Sequence, residues 1–199
     1  MTRSAADVIG PVPVGREPDD YDRLRRRVLW SLPVGLYVLG ARAGSRRNLM
    51  TVSWVTQVAL DPKLIGVGVE RQARTHELLV EGGVFAVSLL ARRDRALVRH
   101  FVKPVDDVDV DESTGAGTMN GEPVFGATTG APILGRAASW IDCEIRHRLP
   151  VGSHTWFVGE VVDVGAAEPE PGGGSAAGAA GDGAGAILRM EDTRMNYGG

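Results

Sequence analysis

The chain has 199 residues, of which 43% are hydrophobic, and a formal net charge of −3 at pH 7. Its small negative charge gives no general attraction for nucleic acid or an anionic membrane, because phosphate-driven binding needs clustered, uncompensated lysine and arginine. Its length suits one compact domain with a substantial core. The single cysteine, Cys143, excludes an internal disulfide, and we expect a buried, inert thiol in a cytoplasmic setting.

The N-terminal residues 1–18 predict a flexible arm, which precedes one domain over residues 19–199. The arm is rich in proline and small residues and lacks the apolar run of a secretory signal. No run in the chain approaches the roughly 20 apolar residues of a membrane-spanning helix. A helix is predicted from residue 19 or 20 to residue 32, and we interpret its basic side as a solvated face rather than a phosphate-binding or protein-binding surface.

The most informative stretch is a strand predicted over residues 49–60, which follows a first strand over residues 34–41. Strand side chains alternate between faces, so Thr51, Ser53 and Gln57 share one polar side. Buried polar groups need hydrogen-bond partners, and a bound polar ligand would supply them. The alternative is an ordinary solvent face of an antiparallel sheet, which periodicity alone favours.

A third strand over residues 64–69 leads into a short helix over residues 75–81. Thr75 is the predicted N-cap of this helix, and two glycines stop it. A helix N-terminus presents amide donors and a positive dipole, which suit a phosphate. Arg71 and Arg74 lie just before this helix and are predicted to add charge-assisted hydrogen bonds.

The second half of the chain predicts one more strand, one helix and a long hairpin. The strand covers residues 84–90, the helix 94–102, and the hairpin 138–149 with 155–164. The acidic and then glycine-rich residues 105–130 lack calcium-loop offsets and a dinucleotide fingerprint, so they predict a mobile surface connection. The Gly/Ala-rich residues 166–186 predict disorder, and residues 187–190 a short final strand.

Several spaced segments together resemble the flavin reductase-like family, which has the FMN-binding split-barrel fold. The resemblance covers roughly residues 20–165. It is carried by Asn48-Leu49-Met50-Thr51-Val52-Ser53-Trp54, Asp61-Pro62, Gly68-Val69-Glu70-Arg71-Gln72-Ala73-Arg74-Thr75-His76, Phe85-Ala86-Val87-Ser88-Leu89-Leu90, Ala131-Pro132-Ile133-Leu134 and the segment from Gly152 to Val161. The fold class that the resemblance implies is an antiparallel split β-barrel with a few short helices. The spacing of the predicted hairpins agrees with an antiparallel sheet. Such a sheet can close into a barrel, which removes its exposed strand edges.

The resemblance implies a flavin reductase that transfers hydride from NADH or NADPH to FMN or FAD. It also implies a homodimer with flavin at the subunit interface, and a partner monooxygenase that receives reduced flavin. By resemblance, His154 binds the nicotinamide or assists hydride transfer; the alternative is a surface histidine at a hairpin end. The cofactor-binding residues implied are Asn48, Met50, Thr51, Val52, Ser53 and Trp54, with Arg71, Gln72, Thr75 and His76 at the phosphate.

No metal site is predicted, because the histidines show no paired metal-ligand spacing. Leu49 replaces a frequent glycine of the family, Ser153 replaces an aspartate, and the 166–186 insertion displaces the usual C-terminal strand motif. These departures lie mostly on the substrate side. Two alternatives therefore stay open: a flavoprotein of the same fold that reduces a metal or corrinoid, and a non-enzymatic barrel module that binds a protein or small ligand.

Overall fold

The computed structural model describes residues 11–167 and 186–193, which form mainly antiparallel strands. Three short 3₁₀ turns cover Arg92–Asp94, Leu97–Phe101 and Met190–Asp192. The two α-helices are α1 (Pro18–Trp30) and α2 (Arg74–Gly82). The strands are β1 (Tyr37–Ala43), β2 (Arg46–Val52), β3 (Val55–Ala59), β4 (Leu64–Glu70), β5 (Val84–Leu89), β6 (Val108–Val110), β7 (Gly117–Met119), β8 (Glu122–Gly126), β9 (Pro132–Leu134), β10 (Ser139–Val151) and β11 (His154–Ala166).

Two antiparallel sheets make up the fold. The larger has the order β2-β1-β5-β10-β11-β4-β3, and the smaller has the order β6-β7-β8-β9. Strands β2 and β3 are consecutive in the chain but lie at opposite edges of the large sheet. The sheet therefore curls into a barrel that does not close between these two strands, which confirms the predicted split β-barrel.

The barrel interior is filled by alternate residues of the large sheet. Val67, Phe85 and Phe157 are fully buried there, and α2 contributes Leu78. Because strand side chains alternate, the neighbours of these residues point outward. A second apolar cluster, which includes Leu49, lies outside the barrel between β1–β2 and the smaller sheet.

The single strand predicted over residues 49–60 is wrong, because the chain breaks at Ser53 and Trp54. Before the break β2 pairs with β1, with Val52 opposite Tyr37, and after it β3 pairs with β4. A chain that crosses from one edge of the sheet to the other cannot keep one ladder. The predicted polar row is therefore not one continuous face.

The mobile connection predicted over residues 105–130 is also wrong, because this segment forms β6, β7 and β8. Asn120 and Gly121 both have positive φ, 49° and 74°, and they join Met119 to its partner Glu122 in a tight hairpin turn. Positive φ at both positions is what a two-residue hairpin needs. The composition of the segment concealed this pairing, because Asp109 lies in the exposed strand β6 and further acidic residues flank that strand.

Two other predicted elements differ in type. The helix predicted over residues 94–102 consists of two 3₁₀ turns that bury Leu97, Val98 and Phe101. The strand predicted over residues 187–190 makes only isolated bridges, Ile187 to Ala91 and Arg189 to Gly35, before the last 3₁₀ turn. The hairpin of β10 and β11 was predicted correctly and extends slightly further than expected.

Helix α1 follows the described part of the predicted arm and has no buried residue. Its basic side is compensated locally, since Asp20 pairs with Arg23, and Asp22 pairs with Arg25 and Arg26. Neither α-helix of the described chain has the length and apolar character needed to cross a bilayer. Residues 1–10 of the predicted arm and 168–185 of the predicted disordered loop lie outside the described residues.

Candidate active site

A cleft of about 380 Å³ opens on the outside of the barrel where β2 and β3 separate. We call it the outer cleft. The break between the two strands positions it, because the chain turns outward there instead of continuing one ladder. Its lining comprises Pro33, Val34, Gly35, Tyr37, Ser53, Trp54, Val55, Thr56 and Trp156.

Trp54 forms one wall of the outer cleft and is 41% exposed. Its backbone carbonyl accepts a hydrogen bond of 2.9 Å from the Gly68 N–H, which fixes the break against β4. A Cβ on Gly68 would lie 2.9 Å from the Trp156 ring and 3.0 Å from the Trp54 ring. Glycine is therefore needed at this position for the two indoles to lie against the strand.

His154 begins β11, directly after the tight turn at Gly152 and Ser153. Its ring centroid lies 4.6 Å from that of Trp54, with the planes tilted by 45°. The Ser153 hydroxyl lies 2.8 Å from His154 Nδ1. Because Phe157 points into the core, His154 and Trp156 share the outer face of β11.

Arg71 ties the turn after β4 to the hairpin that carries His154. Its backbone N–H donates a 3.0 Å hydrogen bond to the Ser153 carbonyl, and its guanidinium donates to the Gly152 carbonyl. The end of β2, the arginine-bearing turn and the histidine hairpin therefore meet on one side of the barrel. Most of the Arg71 donors are left for another acceptor, since a guanidinium carries five N–H groups.

A second set of predicted site residues, which we call the inner polar group, comprises Asn48, Thr75, His76 and Thr155. Asn48 is 2% exposed; its Nδ2 donates to Thr75 Oγ1 at 2.8 Å, and its Oδ1 accepts from the Val105 N–H at 2.9 Å. Both ends of this amide are thus satisfied within the protein. Buried polar groups with such partners stabilise the fold.

His76 joins the same group from the next position of α2. Its Nε2 lies 2.8 Å from Thr155 Oγ1, and its ring meets Phe157 edge-on with centroids 5.2 Å apart. Burial, and secondly the positive charge of Arg71, lower the pKa of His76 below its ordinary value. The imidazole is therefore neutral at pH 7, which suits a hydrogen bond to a hydroxyl.

The start of α2 presents an uncapped and basic surface. Its N-cap is Ala73, which makes no side-chain hydrogen bond, so Thr75 is not the N-cap that the sequence predicts. Arg71, Gln72 and Arg74 are exposed around this helix end, and Arg74 Nη1 also donates to the Val105 carbonyl at 3.3 Å. A helix start without a side-chain cap, next to arginines, suits an anion. The stop of the helix is as predicted, with Gly83 in the left-handed region.

Most of the remaining predicted site residues of β2 pack inside the protein, and Ser53 lines the outer cleft. Val52 belongs to the barrel core, Met50 packs against it, and the buried Thr51 hydroxyl donates to the Val98 carbonyl. Thr51 therefore faces neither solvent nor the outer cleft. Ser53 is buried but lines that cleft.

Sequence reasoning missed Trp156 and Tyr37 as cleft residues. Trp156 was identifiable, because it lies two positions after His154 and so shares its strand face. Tyr37 gave no such indication; it reaches the cleft because β1 pairs with the end of β2. Burial raises the pKa of Tyr37, so its hydroxyl is protonated at pH 7.

Cys143 is fully buried, as predicted. Burial, and secondly the charge of Asp142, raise its pKa to about 12. A thiol with this pKa is not a nucleophile at neutral pH. Within residues 11–167 and 186–193, no three His, Cys, Asp or Glu side chains are arranged to hold a metal ion.

The donors and surfaces of this side of the barrel fit a flat phosphorylated ligand such as a flavin. Trp54 and Trp156 supply an aromatic wall, and Ser53 supplies polar atoms beside it. Arg71 and the uncapped end of α2 supply cationic and amide donors for a phosphate. These are the three contacts that an FMN molecule needs from a protein.

Comparison with known proteins identifies a family for the chain. Residues 29–177 match the flavin reductase like domain. The chain is 34% identical over 150 residues to the NADH-dependent flavin reductase StyB of Pseudomonas fluorescens, covering 73% of this chain and 81% of that protein. It is 32% identical over 145 residues to an NADH-dependent FAD reductase of Streptomyces globisporus, covering 72% and 76%.

Other relatives are much longer than this chain. The chain spans only 20% of diflavin flavoprotein A 1 of Synechocystis sp., to which it is 29% identical over 125 residues. Among solved structures, it resembles the Streptomyces globisporus C-1027 NADH:FAD oxidoreductase SgcE6 with a TM-score of 0.60 and 30% identity, covering 78% of this chain and 89% of that one. The matched domain and these relatives place the chain in the flavin reductase-like family.

Proposed function

We propose that this protein is an NADH-dependent flavin oxidoreductase that binds the flavin ring in the outer cleft. The observation that carries the proposal is the convergence of three segments: the break at Ser53 and Trp54, the hairpin with His154, and the turn with Arg71. The relatives named as NADH-dependent flavin or FAD reductases support the same activity. NADPH in place of NADH stays a prediction.

The flavin, when bound, supplies the redox chemistry, because its ring accepts a hydride from the nicotinamide. The protein's part is to hold two flat rings together and to keep water away. Trp54 and Trp156 form the apolar wall for this stacking, and Gly66 and Gly68 let the Trp156 indole lie flat against β4. Holding two reactants in register removes much of the entropic part of the barrier.

His154 is the residue that we place against the nicotinamide. It stands beside Trp54 on the outer face, and the Ser153 hydroxyl fixes its Nδ1 side. Ser153 thus takes the orienting position in which the family more often has aspartate. A hydroxyl orients the imidazole but does not stabilise a positive charge on it as a carboxylate does, so we infer a positioning role rather than proton transfer.

The phosphate of the flavin is placed at Arg71, Gln72 and the open end of α2. Thr75 and His76 stabilise this end from inside, since Thr75 is hydrogen-bonded to Asn48 and His76 to Thr155. The phosphate site at Arg71 suits the one phosphate of FMN. One relative is named as an FAD reductase, so FAD is the alternative.

We also infer that the protein is a homodimer that supplies reduced flavin to a monooxygenase in the cytoplasm. Support for the dimer is the apolar surface of α1, where Val28, Leu29 and Trp30 are each about half exposed. A solved relative is described as the styrene monooxygenase flavin reductase of Pseudomonas putida S12. Light scattering of the purified protein tests the dimer directly.

The activity is tested by two measurements on the purified protein. FMN or FAD added to the protein should give a perturbed visible flavin spectrum with saturable binding, and NADH should then be oxidised in a flavin-dependent manner. Flavin binding without consumption of NADH or NADPH would instead favour a flavoprotein with another electron donor. Absence of flavin binding would favour a non-enzymatic barrel module.

A further inference from the structure

A second cleft, of about 420 Å³, is lined by the 3₁₀ segment after β5 and by the C-terminal 3₁₀ turn. We call it the arginine cleft. Its lining residues are Arg95, Ala96, Arg99, Asp192 and Thr193. None of these residues belongs to the proposed flavin-binding or nicotinamide-binding surfaces.

Among residues 11–167 and 186–193, the charges at the arginine cleft are mainly positive. Asp192 is neutralised, because its Oδ1 lies 2.8 Å from Arg92 Nε and its Oδ2 accepts from the Arg189 N–H. Arg93 and Arg136 both pair with Asp94. Arg95 and Arg99 are exposed, line the same cavity, and form no ion pair with any carboxylate of the described residues.

The arginine cleft and the outer cleft are built on shared elements. The Val98 carbonyl, one residue before Arg99, accepts from Thr51 of β2, whose chain continues into Ser53 of the outer cleft. The Met190 N–H donates to the Val34 carbonyl at 3.1 Å, and Val34 lines the outer cleft. The C-terminal turn therefore touches the wall of one cleft and lines the other.

The chain limits how far Asp192 of the arginine cleft lies from the strand bridge beside the outer cleft. Arg189 pairs with Gly35, which lines the outer cleft, and Asp192 lies three residues further along. An extended chain advances at most about 3.6 Å per residue, so Asp192 is within about 11 Å of Arg189. A short turn of the chain therefore joins the walls of the two clefts.

We propose that the arginine cleft binds the phosphate groups in the adenylate half of a dinucleotide whose redox ring lies in the outer cleft. The proposal rests on the proposed function and adds a second anion site to the one at Arg71. Paired guanidinium groups suit phosphate oxygens, which they bind with charge-assisted and often bidentate hydrogen bonds. Two molecules present this chemistry, the nicotinamide dinucleotide and FAD, whereas FMN has no adenylate half.

The test is the double variant Arg95→Ala/Arg99→Ala. Loss of two charge-assisted contacts should weaken binding of the affected dinucleotide by about 10- to 100-fold. If the nicotinamide dinucleotide is the ligand, KM for NADH should rise by that factor while the Kd values of FMN and FAD stay similar. If FAD is the ligand, its Kd should rise while those of FMN and riboflavin do not.

Two controls make the outcome decisive. Arg93→Ala removes an exposed arginine of the same segment, whose partner in the described part of the chain is Asp94, and it should leave both constants near wild type. ADP should compete with NADH or FAD in the wild-type protein but only weakly in the double variant. Equal constants in wild type and the double variant, with no ADP competition in either, would overturn the proposal.

Failure of the further proposal is distinguishable from failure of the proposed function. Oxidation of NADH with FMN by the wild-type protein tests the function without reference to the arginine cleft. Urea unfolding of the double variant tests its folding, and Arg95→Lys/Arg99→Lys gives a second variant that keeps both charges. Affinity that recovers in part with lysine supports a phosphate contact. If both double variants fail to fold, ADP competition in the wild-type protein decides: competition supports the proposal, and its absence overturns the proposal.

Discussion

The inner polar group and the side of the barrel that carries the outer cleft and Arg71 both contain predicted site residues, but the two regions differ in burial. Asn48 and Thr75 are almost fully buried, and each finds its hydrogen-bond partner within the chain. Trp54 and Arg71 are exposed, and most of their surface or donor capacity stays available. Residues of the first kind hold the scaffold in shape, and residues of the second kind meet a ligand.

The largest expected effect comes from His154→Ala, which removes the imidazole beside Trp54 at the outer cleft. We expect reduction of bound flavin by NADH to slow by up to about 100-fold, because the nicotinamide loses a positioning contact. Flavin affinity should change little. Anaerobic stopped-flow measurement of flavin reduction provides both values.

The matched control for this change is His147→Ala, which removes an exposed histidine from the neighbouring strand β10. Its reduction rate should equal that of the wild type. Equal rates in all three proteins would contradict the placement of His154 at the nicotinamide.

Asn48→Ala should break the inner polar group instead. The change leaves the buried Val105 N–H without its acceptor and the Thr75 hydroxyl without its donor. An unsatisfied buried group costs about 1–3 kcal/mol, so the free energy of unfolding should fall by that amount. Urea denaturation measures the loss.

The control for Asn48→Ala is Gln57→Ala, which removes an exposed amide from β3. Its free energy of unfolding should stay near that of wild type. A loss in flavin affinity without a loss in stability for Asn48→Ala would mean that Asn48 contacts the ligand directly.

Much of the fold was predictable because the strands of the large sheet alternate strongly or are fully buried. Strand β4 is one example, since Val67 and Val69 repeat with period two in the core. Strand β11 is another, since the buried Phe157 lies between the partly exposed Trp156 and Val158. The break at Ser53 was not predictable from periodicity, because the residues on both sides are equally β-prone. Only the tertiary pairing of β2 with β1 and of β3 with β4 separates them.

The structure divides the predicted site residues between cleft and core, and one physical cause explains the division. Family resemblance placed residues 48–54 at the flavin as a group, but alternation sends Met50 and Val52 to the core and Thr51 to the second apolar cluster. Burial decides which polar group remains available, and the sequence does not encode burial residue by residue. The partners Val98 and Val105 lie about 50 residues away in the chain.

Arg71→Ala gives a smaller effect that sharpens the difference between ring and phosphate contacts. We expect the Kd of FMN to rise by about 10-fold, because a charge-assisted hydrogen bond to phosphate is lost. Binding of lumichrome, which contains the ring without the phosphate, should change much less. Equal weakening of both ligands would refute the phosphate site at Arg71.

Calorimetric or fluorescence titration measures both constants for Arg71→Ala. Arg27→Ala is the control, because Arg27 is an exposed arginine of α1. This variant should bind FMN and lumichrome as the wild type does.

The smallest effect is a pH dependence of stability that originates at His76. Its pKa is lowered in the folded chain, so the unfolded chain binds a proton first as the pH falls below the ordinary value of 6.5. Stability should therefore decrease as the pH falls through and below this value, until the folded histidine is also protonated. His76→Gln should flatten this part of the curve, and urea midpoints between pH 7.5 and 5 measure it; an unchanged curve would contradict the assignment.

The structure of the protein with FMN bound tests the central claim most directly. We predict the flavin ring in the outer cleft, against Trp54 and Trp156 and beside Ser53, with its phosphate at Arg71 and the start of α2. A ring bound at any other surface, or a phosphate directed away from Arg71, would contradict the account.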